Sequence, residues 1–126
     1  MTIRCLIVDD NFFFLQAAQT LLEREGLTVG TAVNGSECLG RVRELQPDVV
    51  LIDVDLGQEN GFEVARRLSS GERSPPVIFI STHEEPEYND LAARSGGVGF
   101  LPKSILSKHA IERLLGHDSS DAASPP

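Results

Sequence analysis

The chain is 126 residues long, 40% hydrophobic and 24% charged, and eleven Lys and Arg against nineteen Asp and Glu leave it with a net charge of −8. That length and composition suit one domain of ordinary size with its own core, and exclude a disordered chain or a membrane span. The acidic balance argues against a nucleic-acid or anionic-membrane surface, whose footprint is basic, and suits a site that binds a cation.

In chain order, residues 3–8 read as a first strand, buried on both sides because no polar residue alternates with the apolar ones. Leu15, Ala18, Leu21 and Leu22 recur at helical spacing, and Gly26 ends that helix. Residues 27–33 form a second, less apolar strand expected at a sheet edge. Asn34-Gly35 reads as a turn, and Cys38, Leu39, Val42 and Leu45 carry a helix that stops before Pro47. Residues 49–52 give a third strand, followed by a loop with Gly57, Asn60 and Gly61 and a third helix on Phe62, Val64, Ala65 and Leu68. Ser74, Pro75 and Pro76 break the chain before a fourth strand at 77–80. Pro86 fits the first turn of a weakly apolar fourth helix through Leu91 and Ala92, closed by Gly96 and Gly97. Residues 98–101 give a short fifth strand and 105–115 a final helix. Residues 118–126 read as a disordered tail or the start of a cut linker, which leaves 1–117 for the domain.

Cys5 and Cys38 sit in apolar stretches without metal spacing and read as reduced core thiols. With no secretory signal and no apolar run of spanning length, the expected compartment is the cytoplasm.

Five strands alternating with five helices imply βαβ crossovers and a parallel sheet covered on both faces. Functional groups in such sheets gather beyond the carboxyl ends of the strands. Asp9 and Asp10 follow the first strand, Asp53 the third, Ser81 and Thr82 the fourth, and Lys103 the fifth. Three carboxylates brought together repel one another, so one is protonated or a cation is bound, and a single Lys offsets only one of the charges. A few carboxylate oxygens, with the remaining positions left to water or phosphate, suit Mg²⁺. A Lys and a hydroxyl facing the same spot supply the point charge and the donor that a phosphoryl group needs. Asp53, at the end of the central strand, is the natural nucleophile.

With Leu6-Ile7-Val8-Asp9-Asp10, Val50-Leu51-Ile52-Asp53-Val54-Asp55-Leu56, Gly61, Ile78-Phe79-Ile80-Ser81 and Gly99-Phe100-Leu101-Pro102-Lys103, the chain resembles a receiver domain of a bacterial two-component response regulator over residues 3–116. The resemblance implies a flavodoxin-like, doubly wound five-stranded sheet of order 2-1-3-4-5 flanked by five helices. It implies that Asp53 accepts a phosphoryl group from a histidine kinase or phosphotransfer protein. It also implies that Asp10 and Asp53 ligate Mg²⁺ directly, Asp9 through water, and Asp55 through its backbone carbonyl. Lys103 would pair with the phosphate and Ser81 would donate to it, with Phe100 standing where the family keeps a switch aromatic, often Tyr. Such a domain is a signalling phosphoacceptor that assists its own phosphorylation and dephosphorylation. Its surface of fourth helix, fifth strand and fifth helix would switch, with a homodimer possible on phosphorylation.

Ser104 follows Lys103 where the family often has Pro in a cis peptide, and Thr82 stands where a small residue is usual. Asp55 and His83 occupy positions that the family varies. Residues 99–107 look most like the subfamily whose receivers precede a helix-turn-helix domain, so a transcriptional role and an excised or stand-alone module are expected, with no nucleic acid bound by this chain itself. Phe12 and Phe13 are expected at the rim of the acidic site, either as a docking surface or packed against loops, and Phe14 on the core stripe. The alternatives are a phosphorylation-independent interaction module and an aspartyl-phosphate phosphatase of the haloacid-dehalogenase type, which carries its Asp-x-Asp motif on the first strand rather than the third. A nucleotide-binding domain lacks support because no Gly-rich loop follows the first strand.

Overall fold

A computed structural model describes residues 2–70 and 74–116. Five parallel strands form its main sheet: β1 (Arg4–Val8), β2 (Thr28–Ala32), β3 (Val49–Asp53), β6 (Val77–Ser81) and β7 (Gly99–Pro102). Two further strands, β4 (Asp55–Leu56) and β5 (Glu59–Asn60), make a small antiparallel hairpin between β3 and the next helix. The helices are α1 (Phe12–Arg24), α2 (Gly35–Leu45), α3 (Gly61–Ser69), α4 (Tyr88–Arg94) and α5 (Lys108–Leu115). The sheet order is β2-β1-β3-β6-β7, the flavodoxin-like order 2-1-3-4-5 of the parallel strands.

The strands read as continuous apolar runs because both sheet faces are covered. Leu6, Val8, Val50, Ile52, Val77 and Phe79 face one core with Cys38, Phe62, Val64, Ala65, Leu68 and Ala92 of α2, α3 and α4. Cys5, Ile7, Val49, Leu51, Ile78 and Ile80 face the other with Leu15, Ala18, Leu22 and Ile111 of α1 and α5. Each buried Val, Leu, Ile or Phe among them contributes roughly 1.5–3 kcal/mol relative to exposure, which overrides the weak helix propensity of the shorter helices. Cys5 and Cys38 are buried free thiols, pushed up to about 12 by burial.

Four expectations are corrected. Leu21 falls to the side of the Leu15–Ala18–Leu22 stripe and is 41% exposed. Asn34-Gly35 is a helix start rather than a turn: the Asn34 side chain accepts from the Glu37 amide and Gly35 opens α2. Pro86 lies ahead of α4, which begins at Tyr88. Ile105 belongs to a 3-10 turn at Lys103–Ile105, and α5 starts only after Ser107, whose hydroxyl accepts from the Ala110 amide. The expected tail at 118–126 lies outside the described residues.

Candidate functional site

Register brings the strand ends to one level: Val8 is opposite Ile52, Asp53 opposite Ile80, and Ser81 opposite Pro102. The residues just past them share one edge of the sheet. Asp9 is fully buried, Asp53 nearly so, and Asp10 exposed. One carboxylate oxygen from each of the three lies within 4.8 Å of the others. Lys103 Nζ reaches in to 2.6 Å from Asp9 Oδ2 and 3.1 Å from Asp53 Oδ2. The second oxygens are held by backbone: Asn11 N donates to Asp9 Oδ1 at 2.9 Å, and Asp55 N donates to Asp53 Oδ1 at 3.0 Å. Lys103 donates a hydrogen bond to Asp53 Oδ2 and makes its closer ion contact with the buried Asp9 Oδ2.

Burial dominates the electrostatics of Asp53. Burial pushes the Asp53 carboxyl up to about 6; the Asp55 amide opposes the rise, the Asp9 charge adds to it, and Lys103 pulls it back. Burial alone would lower Lys103, yet its contacts with Asp9 and Asp53 outweigh burial and hold its ammonium above the usual lysine range. One cation among three carboxylates leaves negative excess, and the all-oxygen donor set fits a hard divalent cation.

The chain between β3 and the start of α3 packs closely against the site. Gly61 packs directly on the backbone of Asp53: a Cβ there would sit 2.1 Å from the Asp53 carbonyl oxygen. The Gly61 amide donates to Val54 O, and Asn60 caps α3 by accepting from the Phe62 amide. At the hairpin tip Gly57 takes φ +75, and a Cβ there would meet Asp10 Oδ2 at 2.9 Å. The sequence reads here as a loop with Gly57, Asn60 and Gly61, although Gly57 at the first central position of a two-residue connection is a hairpin signature, and Gly61 already opens α3.

Ser81 is buried, and its hydroxyl oxygen accepts from the His83 amide at 3.0 Å, which leaves its hydrogen free to donate. Thr82, His83 and Asp55 are exposed. The Lys103–Ser104 peptide is trans. Phe12 and Phe13 are 58% and 80% exposed and meet edge to face at a centroid distance of 6.1 Å. Phe100 is half-buried against Tyr88 at 5.3 Å, and Tyr88 reaches Phe62 at 6.1 Å. Sequence reasoning missed Tyr88, whose fit at helical spacing with Leu91 and Ala92 was the available sign. Burial raises its hydroxyl, with further upward pushes from Glu85, Glu87, Asp55 and Asp53.

A family model for the response regulator receiver domain matches residues 5–115. The chain belongs to that family. The receiver is 37% identical over 133 residues to a protein-glutamate methylesterase/protein-glutamine glutaminase of Symbiobacterium thermophilum, covering 98% of this chain and 36% of the relative. It is 34% identical over 108 residues to one of Idiomarina loihiensis, covering 83% of this chain and 28% of that one. The receiver therefore spans about a third of the length of these relatives. Among solved structures, the signal receiver domain of the response regulator NarL from Mycobacterium tuberculosis superposes with a TM-score of 0.76 at 28% identity, covering 99% of this chain and 98% of that one. The chemotaxis protein CheY4 of Vibrio cholerae gives 0.77 at 26%, covering 92% and 98%. The methylesterase names widen the expected likeness to helix-turn-helix regulators into one to the receiver family as a whole. No helix among the described residues is long and apolar enough to cross a membrane.

Proposed function

We propose that this receiver domain accepts a phosphoryl group on Asp53 from a histidine kinase or phosphotransfer protein. The carrying observation is a single ammonium, Lys103, shared between buried Asp9 and nearly buried Asp53, with exposed Asp10 beside them. Asp10 and Asp53 would hold Mg²⁺ directly, Asp9 through water, and Asp55 through its backbone carbonyl, and the ion would neutralise charge as the phosphoryl group arrives. At neutral pH, above the Asp53 value of about 6, the carboxylate is ionised and nucleophilic. One of its oxygens bonds to phosphorus while the donor's phosphorus–nitrogen bond breaks, and the imidazole keeps the electron pair. Lys103 then pairs with a phosphoryl oxygen and Ser81 donates its hydroxyl hydrogen to another.

As Ser81 is drawn inward, its loop follows and Phe100 shifts with it, changing the face made by α4, β7 and α5. That face carries the output, either as a homodimer or by contact with an output domain or partner. Phe12 and Phe13, exposed beside Asp10, suit docking of the phosphodonor. The net charge of −8 argues against binding to nucleic acid or to an anionic membrane surface. Incubation with a small phosphodonor and Mg²⁺ should add the mass of one phosphate to the wild type and none to Asp53→Asn. Uptake by Asp53→Asn at the wild-type rate overturns the assignment, and no uptake by the wild type leaves a phosphorylation-independent interaction module.

A further inference from the structure

Lys103 has a third partner besides its two carboxylates. Its Nζ lies 4.2 Å from the centroid of the Phe14 ring, over the ring face. That placement is built in. Asp9 Oδ1 accepts from the Asn11 amide, and Asn11 Oδ1 in turn accepts from the Phe14 amide at 3.1 Å, so the carboxylate that pairs with Lys103 also fixes the start of α1. Phe14 then sits in the first turn, half-buried against the core that α1 shares with α5, while its neighbours Phe12 and Phe13 stand out in solvent. The Lys103 side chain is only 11% exposed, so little water competes for the ammonium.

We propose that Phe14 is a positioning residue for Lys103, holding the ammonium over the acidic cluster through the face of its ring. The proposal rests on the phosphoacceptor reading. A carboxylate fixes an ammonium in one direction, whereas a ring face attracts a cation without directing any single N–H. Lys103 has to leave Asp9 and Asp53 in part to meet a phosphoryl oxygen. During that move the ring keeps the ammonium near the site while its hydrogens turn to the new acceptor. An aliphatic residue of similar size would fill the same space and let the long lysine stem wander.

Three chains test this: wild type, Phe14→Leu, and the wild-type sequence with trifluorophenylalanine at position 14, which keeps the ring's shape and weakens its quadrupole. In NMR spectra the ε-methylene protons of Lys103, assigned by their loss in Lys103→Met, should lie upfield in the wild type and the fluorinated chain and return to the free-lysine position in Phe14→Leu. Phosphorylation by a small phosphodonor at saturating Mg²⁺ should slow by roughly three- to tenfold in both altered chains. A wild-type Lys103 signal at the free-lysine position overturns the placement. An upfield signal with equal rates in all three chains overturns the positioning role alone and leaves Asp53 as phosphoacceptor. A wild type that takes up no phosphate overturns the phosphoacceptor reading and this role with it.

Discussion

Asp53 carries the sharpest conflict at the scale of single residues. Its carboxyl titrates at about 6 in the folded chain against an ordinary 3.8. Between those values the folded state holds a proton that the unfolded chain has released, so stability falls as pH rises through this window. Asp53's contribution is therefore most favourable below about 4 and has been lost once the pH passes about 6. Without divalent cations, Asp53→Asn should stabilise the protein at pH 7.5 by on the order of 1–3 kcal/mol, with the gain shrinking toward pH 4. Thermal melts in chelator at the two pH values check this, and equal melting temperatures at pH 7.5 would refute it. The two cysteines sit at the opposite extreme. With thiols at about 12 and almost no exposure, neither Cys5 nor Cys38 should react with a thiol reagent until the chain unfolds. Stoichiometric labelling of the native protein at pH 8 would contradict that.

At the scale of elements, the site depends on a joint between β3 and α3 that tolerates no side chain. Gly61→Ala places a methyl group against the Asp53 carbonyl, and backbone rather than a flexible side chain must yield. The expected outcome is a loss of about 1–3 kcal/mol together with slower phosphorylation, because the displaced strand end carries the phosphoacceptor. Chemical denaturation and the phosphodonor assay read the two effects separately, and a fully stable, fully active variant would sink the argument. The end of α2 offers the reverse test. Gln46 adopts φ 46 at the helix C-cap, a region where a Cβ costs energy and glycine does not. Gln46→Gly should stabilise the fold by about 0.5–1 kcal/mol, read as a higher denaturation midpoint.

These same elements show what the sequence could and could not reveal. The five sheet strands and the amphipathic helices α1, α2 and α3 were legible because apolar runs and stripes report burial directly. Asp9, Asp10, Asp53 and Lys103 were legible as a group because each stands at or just past the end of a strand. The hairpin at 55–60 was not, since two-residue strands have no periodicity to read. The start of α4 was misplaced because Glu87 offers no side-chain cap and Pro86 fitted a helix start equally well. The Phe14–Lys103 contact joins α1 to the end of β7 across 89 residues of sequence, a pairing that only tertiary structure defines.

For the whole molecule, charge ties the site to stability. The chain carries −8, and one end of its sheet concentrates three carboxylates around a single ammonium. Two kinds of relief are available. Any salt screens the diffuse excess in proportion to ionic strength, whereas a cation that fits the cluster binds the folded chain and not the unfolded one. The second effect grows with concentration, by about 2.7 kcal/mol at a hundredfold excess over the dissociation constant. Mg²⁺ should therefore raise the melting temperature beyond NaCl matched for ionic strength. Asp10→Ala tests the origin of that difference. Asp10 is exposed and makes no ion pair among the described residues, so removing it costs the fold little, yet it takes away a candidate ligand. The variant should melt close to the wild type in NaCl and lose most of the additional rise in Mg²⁺. If Mg²⁺ and matched NaCl raise the wild-type melting temperature equally, the cluster binds no divalent cation, and screening alone accounts for the response.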